Sequence, residues 1–156
     1  MKFRKKYLLF LLLLLLIACG ILYFNGNKPD LPFLPTDENA DTWDGEQNLN
    51  HRNQDIDTIA IPGIESLVFV ADVKEQKVNF YNPVENEDTL FQLTLYVNDK
   101  AYWKSGYIEP GKGYYNITLD EPLKEGEYNA YLDYGCCTLQ GVPLNSAKVE
   151  FKLYVE

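Results

Sequence analysis

The chain of 156 residues has a single histidine, His51, and it lies beside Arg52 in an acidic segment. Catalysis by a serine or cysteine nucleophile commonly requires a histidine held within hydrogen-bond reach of that nucleophile. The segment around His51 has no hydrophobic periodicity, so we do not expect it to hold a base in place. The sequence therefore argues against Ser-His-Asp and Cys-His hydrolases, and we predict that the protein is not an enzyme.

Carboxylates are the other side chains with catalytic chemistry. Asp120-Glu121 and Glu87-Asp88 are the residue types with which glycosidases work. With 23 acidic residues in the chain, such neighbours arise by chance. We interpret them as solvated surface charges that keep the protein soluble.

Calcium is the more serious possibility for the acids. The candidate ligands lie in the N-terminal half: Asp41, Asp44, Glu46, Asp55 and Asp57. The first three flank Gly45 but miss the spacing of the EF-hand loop, and the last two precede the first predicted strand. Three cysteines cannot supply a tetrahedral zinc site, and no glycine-rich phosphate loop is present. We predict neither a metal nor a cofactor.

Cys136 and Cys137 are adjacent. Their Cα atoms are about 3.8 Å apart, below the usual disulfide range of about 4.4 to 6.8 Å. Three fates are open: a strained bridge, a crosslink to a partner chain, or a buried thiol beside an exposed one. Alternation with Leu132 and Tyr134 favours the last, with Cys136 inward and Cys137 outward. Cys137 is therefore a candidate intermolecular thiol.

Ten of the twelve tyrosines lie after residue 58. Alternation predicts that four of them point away from the core: Tyr96, Tyr114, Tyr131 and Tyr154. On neighbouring strands their rings would form an aromatic face for a saccharide or a protein. Exposed tyrosines also stabilise sheets through cross-strand pairs, which is the structural alternative.

Four of the first six residues are basic (Lys2, Arg4, Lys5 and Lys6), and eighteen uncharged residues follow, from Tyr7 to Phe24. This length suits a short membrane-spanning helix, and the basic flank stays cytoplasmic by the positive-inside rule. Leu16-Ile17-Ala18-Cys19 resembles the lipobox of bacterial lipoproteins, which implies lipidation of Cys19. We favour an uncleaved signal anchor at 1–24, with a lipoprotein or a cleaved signal peptide as alternatives. In each case residues 25–156 are extracytoplasmic.

Residues 25–58 hold eight acidic against two basic residues, with Pro29, Pro32 and Pro35 spaced three apart. This composition predicts an extended linker that holds a domain away from the membrane. Trp43 is its one tryptophan: it either anchors a partner, packs on the domain, or is solvated. From residue 25 onward, 10 basic residues stand against 23 acidic ones, so nucleic acid is not an expected partner.

Residues 59–156 alternate apolar and polar side chains in short stretches separated by turn signals. The predicted strands are Leu67–Val73, Lys77–Tyr81, Phe91–Val97, Ala101–Lys104, Tyr114–Leu119, Tyr128–Tyr134 and Val149–Val155. No crossover helix separates them, so we predict an all-β antiparallel sandwich of about seven strands.

Leu123-Lys124-Glu125-Gly126-Glu127-Tyr128 resembles the start of strand F in immunoglobulin-like and fibronectin-III-like sandwiches, which makes Tyr128 the tyrosine-corner residue. No cysteine pair brackets the sheets. Over 59–156, the chain resembles small membrane-anchored proteins of Gram-positive bacteria with no assigned activity. The resemblance rests on four successive stretches: Asn82–Asn86, Ser105–Gly111, Leu123–Tyr128 and Leu144–Ala147. We predict a membrane-tethered module that binds a protein or a cell-wall polymer. A structural subunit of a cell-surface or transfer assembly is the alternative.

Overall fold

The computed structural model describes residues 34–45 and 59–156, together with Tyr7 and Phe10. Its strands are β1 (Asp41–Thr42), β2 (Ser66–Phe69), β3 (Glu75–Asn82), β4 (Thr89–Val97), β5 (Lys100–Ile108), β6 (Lys112–Thr118), β7 (Gly126–Thr138) and β8 (Ala147–Val155). In this part of the chain, no helix has the length and apolar character that a membrane crossing needs. Except for Tyr7 and Phe10, the predicted anchor at 1–24 lies outside the described residues. Cys19, the candidate lipidation site, lies outside them as well.

The strands form two sheets, so the prediction of an all-β fold is confirmed. One sheet has the order β2-β8-β7-β4-β5 and the other β1-β6-β3. All seven predicted strands are present as β2 to β8. The prediction of purely antiparallel pairing is wrong at one place, because β2 runs parallel to β8. The strand count also differs, since β1 lies in the segment that was predicted to be a linker.

The core is built from the apolar members of the alternating strands. Phe91, Leu93 and Leu95 of β4 are completely buried, as is Leu132 of β7. Because β4 and β7 are neighbours in the middle of the larger sheet, their inward side chains meet residues of the smaller sheet. The alternation of apolar and polar residues therefore determines which face of each central strand is buried.

Residues 34–45 do not behave as the predicted linker, because they belong to the compact unit 33–156. Thr36 bridges Tyr107 of β5, and Asp41 of β1 pairs with Gly113 of β6. The segment thus runs from the larger sheet to the smaller one along one side of the sandwich, and Ala40 is buried in the core. The sequence does not indicate this strand, because the acidic segment lacks the apolar periodicity that is typical of strands.

Candidate functional site

Two of the four predicted tyrosines form a stacked pair on the outer face of the larger sheet. Tyr96 and Tyr131 are cross-strand partners on β4 and β7, with ring centroids 4.7 Å apart and an interplanar angle of 13°. The Lys148 ammonium lies 3.9 Å from the centre of the Tyr131 ring. Stacking and a cation contact therefore both engage Tyr131, which leaves little of its ring for a flat ligand.

Tyr154 lies on the same face but apart from that pair. Glu150 of β8 is the cross-strand partner of Tyr131, and Tyr154 follows Glu150 by four residues. Four residues span about 13 Å along a strand, so Tyr154 lies well away from Tyr131. Its neighbour across the parallel pairing is Val68 of β2. Tyr154 is 39% exposed, Val68 59% and the nearby Val70 58%. We call these three residues the β2–β8 patch.

Tyr114 does not join the face, and the prediction for its orientation is wrong. It is 7% exposed and packs edge-on against Trp103 of β5, with centroids 5.1 Å apart. Its hydroxyl donates a hydrogen bond to the Asp37 carboxylate. Burial and this bond raise the pKa of the Tyr114 hydroxyl far above its ordinary value. The prediction failed because the hydrogen-bond acceptor that allows the Tyr114 hydroxyl to be buried is Asp37. This residue lies in the segment that the sequence predicts to be a linker.

Cys137 is also not where alternation placed it. It is 8% exposed, whereas we expected an accessible thiol; Cys136 is buried as predicted, at 5%. Both cysteines are free. The chain after β7 turns back, so that Cys137 bridges Pro143 and Thr138 bonds to Val142. This turn covers the end of β7 and therefore buries Cys137, which alternation predicts to be exposed. The intermolecular crosslink at Cys137 stays a prediction, and it would require this turn to open.

Both thiols are expected to react slowly in the folded protein. Burial raises the pKa of Cys136 to about 11 and raises that of Cys137 as well. At pH 8 the reactive thiolate of Cys136 is then roughly a thousandth of the total. Alkylation of Cys136 by iodoacetamide should be at least about a hundredfold slower than in the unfolded chain, and that of Cys137 should also be slowed; both reactions should become faster as the pH rises. Peptide mass spectrometry measures each cysteine separately; rapid labelling of native Cys137 would contradict its burial.

Side-chain and backbone hydrogen bonds hold residues 34–45 on the sandwich. The Asp37 carboxylate accepts hydrogen bonds from the Gly106 amide at 2.6 Å, from the Asn39 amide at 2.9 Å, and from the Tyr114 hydroxyl. Partial burial opposes ionisation of Asp37, but these donors outweigh it and lower the pKa of the carboxyl. The Asp37 amide in turn donates to the Tyr107 carbonyl at 2.7 Å. One aspartate therefore attaches the segment to both sheets.

Trp43 provides the second attachment. Its ring stacks on Tyr81, with centroids 4.8 Å apart, and on Tyr115, at 4.5 Å. The Asp44 amide donates to the Tyr115 hydroxyl at 3.0 Å, and that hydroxyl donates to the Asp44 carboxylate. Of the three alternatives for Trp43, the structure selects packing on the domain. We call the surface that receives the segment the docking groove; it comprises Tyr81, Gly106, Tyr107 and 111–115.

Sequence reasoning did not find the groove. Its receiving residues are glycines, tyrosines and backbone groups, none of which forms a recognisable motif. The one usable signal was Trp43, a large aromatic in a stretch of acidic residues, which requires a binding surface if it is not solvated.

The remaining predicted residues are placed as follows. The Tyr128 hydroxyl donates to the Lys124 carbonyl at 2.9 Å, which is the contact of a tyrosine corner. Asp41 and Asp44 are described, whereas Glu46, His51, Asp55 and Asp57 lie outside the described residues. Within the described part of the chain, no cluster of three or more histidine, cysteine or acidic side chains has the arrangement of a metal site.

Comparison with known proteins adds no assignment. No protein family matches the chain, and neither a curated protein nor a solved structure resembles it significantly. The fold class therefore rests on the two β-sheets, and the function on the chemistry of the surfaces described above.

Proposed function

We propose that the protein is a membrane-tethered, extracytoplasmic binding module without catalytic activity that recognises a protein or an envelope polymer, with a protein favoured. The observation that carries the proposal is the β2–β8 patch, where Val68 and Tyr154 on adjoining strands and Val70, directly after β2, expose apolar surface. Apolar patches rimmed by polar residues are typical of protein interaction sites. The coverage of Tyr131 by Tyr96 and Lys148 argues against sugar stacking there and so favours a protein.

An immunoglobulin-like sandwich is part of this proposal. The neighbours β8-β7-β4-β5 correspond to strands G, F, C and C′, and β6-β3 to strands E and B. β7 begins with the Tyr128 corner, as strand F does. In this assignment β1 stands at the position of strand D. Immunoglobulin-like domains outside cells commonly act as recognition modules, which supports the function.

The location is proposed from the sequence. Four basic residues among the first six, followed by eighteen uncharged residues, are typical of a signal anchor, which makes this a single-pass protein of the cell membrane. The alternatives, lipidation at Cys19 or cleavage, lead to the same side of the membrane. The mass of the membrane-extracted protein distinguishes the three.

A structural subunit of a surface assembly is the second candidate. The observation that favours it is β1, a two-residue strand that completes the smaller sheet from a segment upstream of the sandwich. Strands added to a sheet edge from outside a domain are a common way to join subunits.

Site-specific photocrosslinking in cells that naturally produce the protein tests the binding module. Benzoylphenylalanine in place of Tyr154 should crosslink the full chain to a different protein, and Val68→Lys should abolish that product by placing a charge in the patch. The same photoreactive residue in place of Glu85, in an exposed turn, is the control. Equal products at both positions, or none at Tyr154, would contradict the proposal. A product of two identical chains would support the structural subunit instead.

A further inference from the structure

Residues 34–45 contact the sandwich as a bound peptide does. We propose that the docking groove also binds residues 34–45 of a second copy of this chain, so that two copies can exchange their segments. This inference stands on the groove and does not depend on the β2–β8 patch.

The backbone contacts do not require the segment and the groove to belong to one chain. The Asp37 amide donates to Tyr107 at 2.7 Å, and the Trp43 amide donates to Gly111 at 2.9 Å. Between them, Asp41 pairs with Gly113. Within the segment, Asp41–Thr42 is therefore an added edge strand, and edge strands readily exchange between identical chains because the same bonds form in either arrangement.

Side-chain contacts make the groove selective for this segment. Asp37 and Asp44 are recognised by hydrogen-bond donors, and Trp43 by two tyrosine rings. At Gly106, an added Cβ would lie 2.8 Å from the Asp37 carboxylate, so the glycine admits the aspartate. The groove is thus shaped for an acidic peptide that turns at residues 37–40 and carries Asp37 and, six residues later, Trp43. A second copy of the chain is the one partner certain to carry that sequence.

Competition within the chain explains when exchange should occur. In each chain, the segment 34–45 and the groove are joined by a short stretch of the same chain. This connection gives the segment an effective concentration of roughly millimolar at its own groove, so an isolated chain binds its own segment first. Exchange is expected when copies are concentrated, or when one chain's segment cannot bind. The second condition can be produced by substitution.

Two full-chain variants test the proposal. Asp37→Ala/Trp43→Ala has an intact groove but a segment without its anchors. Gly106→Val/Tyr115→Ala has an intact segment but a groove with a blocked aspartate site and half of its aromatic contact. Each variant alone should be monomeric in detergent, and their mixture should form a one-to-one heterodimer by native mass spectrometry. One intact groove then holds one intact segment from the other chain.

A chain carrying all four substitutions is the matched control, since it should not pair with either double variant. If the first variant does not fold, as judged by near-ultraviolet circular dichroism, Asp37→Asn alone replaces it, because asparagine keeps the size of the side chain and loses the charge. A mixture of folded variants that remains monomeric up to roughly millimolar chain would overturn the proposal. Heterodimers that also form with the fourfold variant would overturn it as well, since they would bypass the groove. Photocrosslinking at Tyr154 is independent of both results.

Discussion

Asn82→Ala is expected to lower the free energy of unfolding by about 3 to 5 kcal/mol. The side chain is completely buried, and its amide nitrogen donates to the Thr89 carbonyl at 2.7 Å and to the Ile108 carbonyl at 3.0 Å. Its oxygen accepts from the Asn86 amide at 2.9 Å, and Asn86 in turn bonds to both backbone groups of Ala60. Removal of Asn82 leaves three buried polar groups without their partner, and each such group costs about 1 to 3 kcal/mol.

Chemical denaturation of the full chain measures this effect. Asn129→Ala is the control, because Asn129 lies on the exposed face of β7 and surface substitutions usually change stability by less than about 0.5 kcal/mol. A small loss for Asn82→Ala, equal to that of the control, would show that water replaces the amide and that this cluster does not hold β3, β4 and β5 together.

Gly113→Ala is expected to destabilise the protein by about 3 kcal/mol. An added Cβ would lie 2.5 Å from the Phe80 carbonyl oxygen and 2.8 Å from the Tyr81 Cα. Both are backbone atoms, so relief requires β3 and β6 to separate. The same substitution should loosen residues 34–45, since Gly113 pairs with Asp41 and Tyr81 carries Trp43. Hydrogen exchange should therefore accelerate at the Trp43 amide.

Gly135→Ala is the matched control within a strand. Its added Cβ would meet the Gln92 carbonyl at 3.4 Å, which is an ordinary contact. Because glycine weakens a strand interior relative to alanine by roughly 0.5 to 1 kcal/mol, this substitution should be neutral or slightly stabilising. Equal thermal stability of the two variants would contradict the close approach of β3 and β6 at Gly113.

The positions of the strands could be predicted from the sequence, but the side of the sheet to which each tyrosine points could be predicted only in part. Tyr96, Tyr131 and Tyr154 point outward as alternation requires, yet they do not form one patch, because two of them stack and the third lies near the β2 edge. Tyr114 is in the core although its strand was predicted correctly. Alternation assigns a side chain to one of two sides, but it does not state which side a neighbouring segment covers.

The sequence by itself determined the all-β class, the seven strands between residues 66 and 155, and the scarcity of residues for catalysis. These properties depend on composition and on periodicity over a few residues, which are local. The tertiary structure alone decided the parallel pairing of β2 with β8, the burial of Cys137, and the docking of residues 34–45. Asp37 meets Tyr114 and Asp44 meets Tyr115 across 77 and 71 residues of chain. Contacts between residues so far apart in the sequence form when the two sheets and their edge strands pack together, and no local sequence pattern encodes them.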